Sequence, residues 1–343
     1  MKAMVLEKVG ALGSAEERLE LQDLPVPEPG DGELLVKVSA CGVCHTELDE
    51  IEGRTPPPGL PVVLGHQIVG RVASANGAGS FRQGDRVGVG WIYSSCGRCR
   101  YCRGGEENLC PDFRATGRDV NGGYAEYIVV PEISAYAIPE VFSDAQAAPL
   151  LCAGAIGFRS LRLTQLEEGQ ILGLMGFGAS AHLVLQLARR RFPRSPVFVF
   201  ARSEAEREFA RALGAAWAGA IDATPPEKLD RIIDTTPVWK TVVAALGNLA
   251  PGGRLVINAI RKEDGDKDSL LRLDYAKHLW MEKEIKSVAN VARADIHDFL
   301  TLAAEIPIVP EVQEFRLEDA NRALAGLKEG KIRGAKVLRT PKT

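Results

Sequence analysis

Four cysteines between residues 96 and 110 have the spacing of a closed metal site. Cys96, Cys99 and Cys102 follow the pattern C-x-x-C-x-x-C, and Cys110 comes after seven further residues. Zn²⁺ takes four thiolate sulfurs tetrahedrally, and two-residue spacers bring such sulfurs to one point. Pro111 follows the last cysteine as in some iron–sulfur runs, but the fourth cysteine of those runs comes after three residues. The spacing therefore predicts a structural zinc site.

The other three cysteines could serve a second metal. Cys41, Cys44 and Cys152 are dispersed over the first half of the chain. Catalytic zinc sites use three protein ligands and keep a fourth position open, and two cysteines with one histidine form one such set. A second site therefore needs only two of these thiols and a histidine, and spacing alone leaves open which ones.

A glycine-rich turn follows a predicted buried strand at residues 170–175 and opens a predicted helix at 179–191. From residue 176 to residue 181 it reads G-x-G-x-x-A. Glycines there let the backbone approach a pyrophosphate, which then lies at the helix N-terminus. A plain tight turn is the alternative, but the strand–turn–helix context is the one that dinucleotide binding requires. The residues expected at the cofactor are Gly173, Gly176, Gly178, Ala179 and Ser180.

The end of the next predicted strand, residues 197–200, indicates which nicotinamide cofactor is used. An acidic side chain there bonds the ribose hydroxyls of NAD, whereas a nearby arginine favours the 2′-phosphate of NADP. Here Ala201, Arg202 and Ser203 follow the strand, and the first acid is Glu204. Arg202 can pair with a phosphate, and Ser203 can donate one more hydrogen bond. The turn therefore favours NADP(H); alternatively, Ser203 only caps the next helix and NAD is bound.

The elements that must position these residues fall into two patterns. Up to about residue 150, short apolar or alternating runs separated by glycine turns predict strands and a partly open barrel. These runs are residues 5–9, 34–39, 67–73, 86–89 and 124–130, and Ser143 is expected to cap a helix. After about residue 155, strands alternate with helices, which predicts a doubly wound parallel sheet.

Within the second pattern, residues 203–206 form a capping box that opens a helix ending at Gly214. Further strands are predicted at 231–233 and 254–258, with a helix at 238–249 between them. From about residue 290 the chain is predicted to form a helix, an extended run at 311–315, a helix and a strand at 335–338. That tail has the right size to return to the first domain.

Composition limits the class of protein. The 343 residues are 45% hydrophobic, enough for two domains with large cores. The net charge of −3 provides no basic field for nucleic acid or an anionic membrane. No apolar run reaches the roughly 18 residues of a membrane span, and the N-terminus lacks a signal-peptide pattern. We therefore expect a cytoplasmic protein whose cysteines are not joined in disulfides.

Several motifs follow one another in a characteristic order. They are Cys44-His-Thr46, Gly65-His66, the cysteine block at 96–110, Gly122-Gly123-Tyr-Ala-Glu, Pro149-Leu-Leu-Cys152-Ala-Gly and the turn at 173–181. Together they resemble the zinc-containing alcohol dehydrogenases of the medium-chain dehydrogenase/reductase superfamily, over essentially the whole chain. The resemblance implies a doubly wound Rossmann cofactor domain joined to a GroES-like, partly open β-barrel catalytic domain.

The resemblance also implies the domain limits and the roles of the site residues. Residues 1–153 would form the catalytic zinc-binding domain and residues 154–291 the Rossmann domain, and residues 292–343 would return to the catalytic domain. Cys44, His66 and Cys152 would hold the catalytic zinc, in agreement with an open two-cysteine, one-histidine site. Thr46 would hydrogen-bond the alcohol and pass its proton outward. His45 would face the cofactor pyrophosphate.

Two more residues are expected near the ligands, and three positions depart from the family's usual pattern. Trp91 would wall the substrate pocket, with ordinary core packing as the alternative, and Arg333 is expected at the cofactor. Gln67 stands where the family often has a carboxylate beside the zinc histidine. Glu47 replaces an aspartate that partners this histidine, and could serve with a longer reach. Asp49 replaces the histidine that commonly ends the proton relay, and either accepts the proton or leaves that step to ribose and water.

The predicted function is reversible hydride transfer between a primary alcohol or aldehyde and NADP(H) or NAD(H). The resemblance implies that zinc acts as a Lewis acid on the alcohol and that nicotinamide carries the hydride. Two alternatives are also compatible with the sequence. One is a polyol or secondary-alcohol dehydrogenase of the same superfamily, and the other is a non-catalytic, zinc-stabilised nucleotide-binding protein. A homodimer or homotetramer acting on a small molecule is expected in the enzymatic cases.

Overall fold

The computed structural model describes residues 1–13, 16–77, 79–306, 308–330 and 333–341. The chain separates into two compact units. The first comprises Met1–Ala155, Val291–Glu305 and Val309–Thr343, and the second comprises Ile156–Asn290 and Ile306–Ile308. The chain therefore leaves the first unit after Ala155, returns at Val291, and leaves it again only for the short segment Ile306–Ile308.

The described residues form strands and helices with the following bounds. The strands are β1 (Lys2–Leu6), β2 (Leu19–Asp23), β3 (Glu33–Val43), β4 (Val62–Val63), β5 (Ile68–Asn76), β6 (Arg86–Val89), β7 (Ile92–Ser94), β8 (Arg114–Ala115), β9 (Tyr127–Pro131), β10 (Ala135–Ala137), β11 (Leu172–Met175), β12 (Val197–Phe200), β13 (Trp217–Gly219), β14 (Leu229–Asp234), β15 (Leu249–Ile257), β16 (Glu284–Ser287), β17 (Val312–Arg316) and β18 (Ala335–Arg339). The α-helices are α1 (His45–Ile51), α2 (Arg100–Arg103), α3 (Asp144–Pro149), α4 (Ala155–Thr164), α5 (Ala179–Arg191), α6 (Glu204–Ala212), α7 (Trp239–Asn248), α8 (Arg293–Glu305) and α9 (Ala320–Lys328).

The first unit is built around β3, the long strand that leads to Cys44. Its largest sheet has the order β10-β6-β5-β3-β18-β17, and β9 also pairs with β3. Along β3, buried side chains such as Leu34, Val36 and Val38 alternate with less buried ones, as expected for a strand with one face on the core. The C-terminal strand β18 pairs antiparallel with the end of β3, next to Cys44. A second sheet has the order β2-β1-β4, and β7 pairs with β8.

The second unit is a parallel sheet of six strands in the order β13-β12-β11-β14-β15-β16. Its central strands β11 and β12 are buried along their whole length, as expected where helices cover both faces. The order reverses beside β11, the strand that ends in the glycine turn. In open α/β sheets, ligands bind at such a switch point, beyond the carboxyl ends of the strands. The doubly wound Rossmann fold predicted for this part of the chain is confirmed.

Both helix starts predicted from serine caps are also confirmed. Ser143 Oγ accepts a hydrogen bond from the Gln146 N–H before α3, and Ser203 Oγ accepts one from the Glu206 N–H before α6. Each capping box satisfies backbone donors that the first helical turn leaves free. Within the described ranges, no helix has both the length and the apolar character needed to cross a membrane.

Candidate metal centres and dinucleotide turn

Cys44, His66 and Cys152 come together in the first unit. One ligand atom from each lies within 4.8 Å of the others, and the His66 Nε2–Cys152 Sγ distance is 3.2 Å. The three residues come from separate places: Cys44 is the N-cap of α1, His66 follows β4, and Cys152 follows α3. The long-range pairing of strands in this unit, and not local sequence, thus assembles the cluster.

Cys152 lies in a π-helical turn, Leu150–Gly154, that joins α3 to α4. Such turns are rare, and they are frequent at functional sites. Pro149 has no backbone N–H, so a regular α-helical ladder is interrupted just before the turn. At the other end of α3, the Arg86 guanidinium binds Asp144 Oδ1 with N–O distances of 2.7 and 2.8 Å. The approach to Cys152 is therefore fixed at both ends of one short helix.

A single carboxylate connects two of the clustered residues. Glu47 Oε1 lies 2.7 Å from His66 Nδ1, and Glu47 Oε2 accepts a 2.8 Å hydrogen bond from the Cys44 backbone N–H. Glu47 and His66 are both buried. A carboxylate on the far nitrogen of a histidine fixes the ring's orientation and leaves the other nitrogen for a metal.

The two thiols of the cluster are affected in opposite directions, because the hydrogen bond between them and burial raise the pKa of Cys152. Cys44 and Cys152 interact so closely that a hydrogen bond from Cys152, assisted by His66, holds the pKa of the Cys44 thiol well below its usual value. The thiolate is the form that binds metal.

The Trp91 ring stands edge-on to the His66 ring with 4.8 Å between centroids, and it stacks with Phe113 at 6.5 Å. Trp91 is therefore part of the packing around the histidine.

The residues predicted for proton transfer have different surroundings. Thr46 Oγ1 lies 3.6 Å from Cys44 Sγ, within the cluster. Asp49 is buried and binds Arg54, with 2.5 Å between Oδ1 and Nε. The Asp49 carboxylate is therefore already engaged by the Arg54 guanidinium. His45, the first residue of α1, is exposed.

In the second cysteine cluster, the four sulfur atoms lie close together. The ligand sulfurs of Cys96, Cys99, Cys102 and Cys110 all lie within 4.8 Å of one another. Backbone N–H groups point at these sulfurs, including Cys99 N to Cys96 Sγ at 3.4 Å and Cys102 N to Cys99 Sγ at 3.5 Å. Backbone hydrogen bonds from Arg98 and Cys99 lower the pKa of Cys96 to about 6. This arrangement suits a closed tetrahedral site.

The glycine turn of the second unit has the geometry that a dinucleotide needs. Gly176 has a φ of +87°, and an added Cβ would meet Thr235 Oγ1 and Thr236 Cγ2 at 2.9 Å. At Gly178 an added Cβ would meet nothing within 4 Å, so the backbone before α5 is open to a ligand. Ser180 Oγ is buried without a hydrogen-bond partner in the described part of the chain. Gly173 lies within β11, where Leu229 would be 2.7 Å from a Cβ, and so serves packing.

The turn after β12 holds one exposed arginine. The Arg202 side chain is 66% exposed, and its Nε is 3.7 Å from Glu206 Oε1. Ser203 is engaged in the capping box, and Ala201 is buried at the strand end. Arg333 lies in the first unit, where its Nε binds Glu311 Oε1 at 3.0 Å.

Sequence reasoning missed a buried ion pair beside the glycine turn. Lys262 Nζ lies 2.6 Å from Asp234 Oδ2 and donates to the Thr236 carbonyl at 2.7 Å. Asp234 Oδ1 in turn accepts hydrogen bonds from the N–H and hydroxyl of Thr236. Because Thr236 packs on Gly176, this pair fixes the loop that borders the turn. An aspartate ending an apolar strand was a usable signal, whereas nothing local marked its lysine partner.

Comparison with known proteins agrees with this arrangement. Residues 30–140 match the family model described as the alcohol dehydrogenase GroES-like domain. A "probable alcohol dehydrogenase AdhA" of Mycobacterium tuberculosis is 44% identical over 326 residues, covering 93% of this chain and 92% of that protein. The solved structure of an NAD-dependent alcohol dehydrogenase superposes with a TM-score of 0.88 at 28% identity, covering 99% of this chain and 100% of the other.

A cinnamyl alcohol dehydrogenase from Sorghum bicolor has a TM-score of 0.84 at 26% identity, covering 98% of this chain and 97% of that chain. These similarities extend over nearly the whole length of both partners, and the residues matched by the family model include Cys44, His66 and the four cysteines at 96–110. The chain therefore belongs to the zinc-containing alcohol dehydrogenases of the medium-chain dehydrogenase/reductase superfamily.

Proposed function

We propose that this protein interconverts primary alcohols and aldehydes, with a catalytic zinc and with NADP(H) preferred over NAD(H). The observation that carries the proposal is the convergence of Cys44, His66 and Cys152 to within 4.8 Å in a chain that also carries a dinucleotide-type turn. In this proposal the first unit binds zinc and substrate, and the second unit binds the dinucleotide.

The donor set supports zinc at both clusters. Cys44, His66 and Cys152 offer two sulfurs and one imidazole nitrogen, which leaves a coordination position for substrate, whereas four cysteines make a closed structural site. When bound at the three-residue cluster, zinc supplies a Lewis acid that lowers the pKa of an alcohol. Glu47 holds the His66 ring in place through Nδ1, and the hydrogen bond from Cys152 lowers the pKa of the Cys44 thiol.

The cofactor proposal rests on the two turns of the second unit. Nicotinamide supplies or accepts the hydride when the dinucleotide is bound. Gly176 and Gly178 allow close approach of the pyrophosphate, and the unpartnered Ser180 hydroxyl can donate to it. Arg202 and Ser203 favour a 2′-phosphate, although Glu206 stands near Arg202 and competes for it. His45 and Arg333 are further proposed contacts of the dinucleotide.

Thr46 is proposed to accept the alcohol proton and pass it outward. Its hydroxyl lies beside Cys44 Sγ, so it is positioned for a ligand held at the cluster. Asp49 is the weaker member of the proposed relay because Arg54 already holds its carboxylate. If Asp49 does not take the proton, a hydroxyl group of the bound cofactor and water would be the remaining acceptors.

Primary alcohols are favoured because Trp91 lies beside His66, where its ring would wall the substrate pocket. The name of the Sorghum relative, a cinnamyl alcohol dehydrogenase, points to the same class. Polyols and secondary alcohols are the competing substrates. We also propose a homodimer or homotetramer, because β16 is an edge strand of the parallel sheet with four exposed residues, and Leu271 and Trp280 are also exposed. An exposed sheet edge readily pairs with another chain.

The test combines metal analysis with a substrate panel. Purified protein is expected to hold two zincs per chain and to oxidise primary alcohols faster than secondary alcohols or polyols, with each cofactor measured separately. Light scattering gives the mass of the assembly. One zinc per chain with no turnover on any substrate would instead support the non-catalytic nucleotide-binding protein. Two zincs with faster turnover of polyols or secondary alcohols would support the alternative dehydrogenase class.

A further inference from the structure

Helix α1 carries a second buried carboxyl group beside the three-residue cluster. Glu50 is 0% exposed, and neither of its carboxylate oxygens has a hydrogen-bond partner in the described part of the chain. It stands three residues after Glu47, so the two side chains share one face of the helix about one turn apart. Glu47 contacts His66 on that same face.

The charged groups around Glu50 are mostly those of the cluster itself. Its carboxyl group feels the charges of Glu47, His66, Cys44 and Arg118, and burial together with Glu47 raises the pKa of Glu50 well above its ordinary value. Arg118 is already close to Asp119, with 3.2 Å between Nε and Oδ1. A buried carboxyl without a partner costs folding free energy unless a cation compensates it.

The residue next to His66 provides no such charge. Gln67 is buried, and its side chain lies against Gly42 of β3, where an added Cβ would be 2.8 Å from the amide carbon. Its amide is neutral, so the negative charge around the histidine comes from α1. Both Glu47 and Glu50 contribute to it from the same side.

We propose that Glu50 is a positioning residue for the metal: its buried carboxylate stabilises the cation held by Cys44, His66 and Cys152 without coordinating it. This inference rests on the proposed catalytic metal site. Glu50 opposes folding of the metal-free protein and favours the metal-loaded one, because the ion adds positive charge beyond that of His66 and Arg118, neither of which is hydrogen-bonded to Glu50. Loss of such outer-shell partners typically weakens metal binding about 10- to 100-fold.

The experiment compares Glu50→Gln with the wild type by zinc competition against a chelator and by thermal melting of metal-free protein. Glu50→Gln is expected to bind zinc at the three-residue site about 10- to 100-fold more weakly. Its metal-free form is expected to melt no lower than the wild type, because an uncompensated buried carboxyl has been removed. A group that only stabilises the fold would lower that melting temperature. The zinc at the four-cysteine site stays.

Glu52→Gln is the matched control at the end of the same helix. Glu52 binds Arg54, Lys328 and the Leu12 N–H, so this change is expected to lower stability without changing zinc affinity. Gln67→Glu in the Glu50→Gln background returns a buried carboxyl beside His66 and is expected to restore most of the affinity. Glu50→Met provides a second, uncharged replacement.

The proposal is overturned if Glu50→Gln retains wild-type zinc affinity, or if Glu50→Gln and Glu50→Met both fail to fold. A wild type that holds no zinc at Cys44, His66 and Cys152 would overturn the proposed function as well. Wild-type affinity in Glu50→Gln, with two zincs retained, would overturn only the role given to Glu50.

Discussion

Glu47 holds His66 and Cys44 in one fixed relationship, with Oε1 2.7 Å from His66 Nδ1 and Oε2 2.8 Å from the Cys44 nitrogen. An aspartate at this position would be one methylene shorter, so the glutamate spans both contacts from the first turn of α1. The Glu47 side chain therefore holds two candidate ligands that come from separate segments of the chain. Disturbing either ligand should therefore affect the metal site without unfolding the unit.

The two cysteine clusters are expected to respond differently to substitution. Cys44→Ser should abolish turnover and lose one zinc, while the melting temperature stays near that of the wild type. Cys99→Ser should chiefly destabilise or aggregate the protein, because a closed site contributes its metal-binding free energy to folding. Zinc content and thermal melts of both variants measure the contrast. Retention of two zincs and normal activity in Cys44→Ser would refute the assignment.

The proton path is tested at Thr46. Thr46→Val keeps the shape of the side chain but removes the hydroxyl, so kcat should fall roughly 10²- to 10⁴-fold while zinc content stays unchanged. Asp49→Asn is the comparison, because its carboxylate is already bound to Arg54. An unchanged pH–rate profile in Asp49→Asn would place the end of the relay elsewhere. A Thr46→Val enzyme with near-normal kcat would remove Thr46 from the path.

Local signals explain which parts of the fold were predictable. The structural ranges of β6, β12 and α5 coincide with the predicted ones, because each has a clear apolar period and a clear boundary. The edge strands β13 and β16 were missed, since both are short and neither is a buried apolar run. Such strands exist only because a neighbour in the sheet pairs with them.

The buried pair between Lys262 and Asp234 should carry much of the stability of the second unit. Lys262→Met leaves Asp234 buried without its cation, which is expected to cost about 3–5 kcal/mol in the free energy of unfolding. The matched control is Lys267→Met, because the Lys267–Asp264 pair is exposed and should cost less than about 1 kcal/mol. Urea unfolding followed by circular dichroism compares them. Equal losses in the free energy of unfolding would show that burial does not make the Lys262–Asp234 pair more important than the exposed pair.

The contact between Arg86 and Asp144 predicts a pH dependence. Burial alone would raise the pKa of Asp144, but hydrogen bonds from Ser39 and Arg86 outweigh it and lower the pKa. A lowered folded-state pKa stabilises the protein above the ordinary value of about 4, and this stability is lost as the pH falls through the folded-state pKa. Asp144→Asn should therefore lower the unfolding free energy by about 1 kcal/mol at pH 7, and not at low pH. Unfolding at several pH values tests this, and a difference independent of pH would exclude the ionic origin.

How well each site could be predicted depends on how close together its residues lie in the sequence. The four-cysteine cluster could be predicted from spacing, because its ligands lie within 15 consecutive residues. Cys44, His66 and Cys152 were found only through resemblance to a family, since strand pairing across the first unit brings them together. Glu50 and Lys262 carry no motif at all. Glu50 stands out only because it is buried without a hydrogen-bond partner in the described part of the chain. Lys262 stands out only because it pairs with Asp234, which is distant in the chain.

Cofactor choice is expected to depend on the turn after β12. Arg202 is exposed there, while Arg207 and Arg211 are both bound to Glu204, so Arg202 is the cation at the strand end best placed for a 2′-phosphate. A phosphate paired with an arginine gains charge-assisted hydrogen bonds, and the neutral Ala201 does not repel it. We expect kcat/KM to be higher with NADP(H) than with NAD(H) in the wild type.

The double variant Ala201→Asp/Arg202→Ile provides the decisive comparison. The new aspartate would accept hydrogen bonds from the ribose hydroxyls and repel a phosphate, so preference should move towards NAD. Glu206→Gln is the matched control, because it removes the acid that competes for Arg202 and should strengthen the preference for NADP. The measurement is kcat/KM with both cofactors for all three proteins. A wild type that prefers NAD, or a double variant whose preference does not move, would refute the role of this turn.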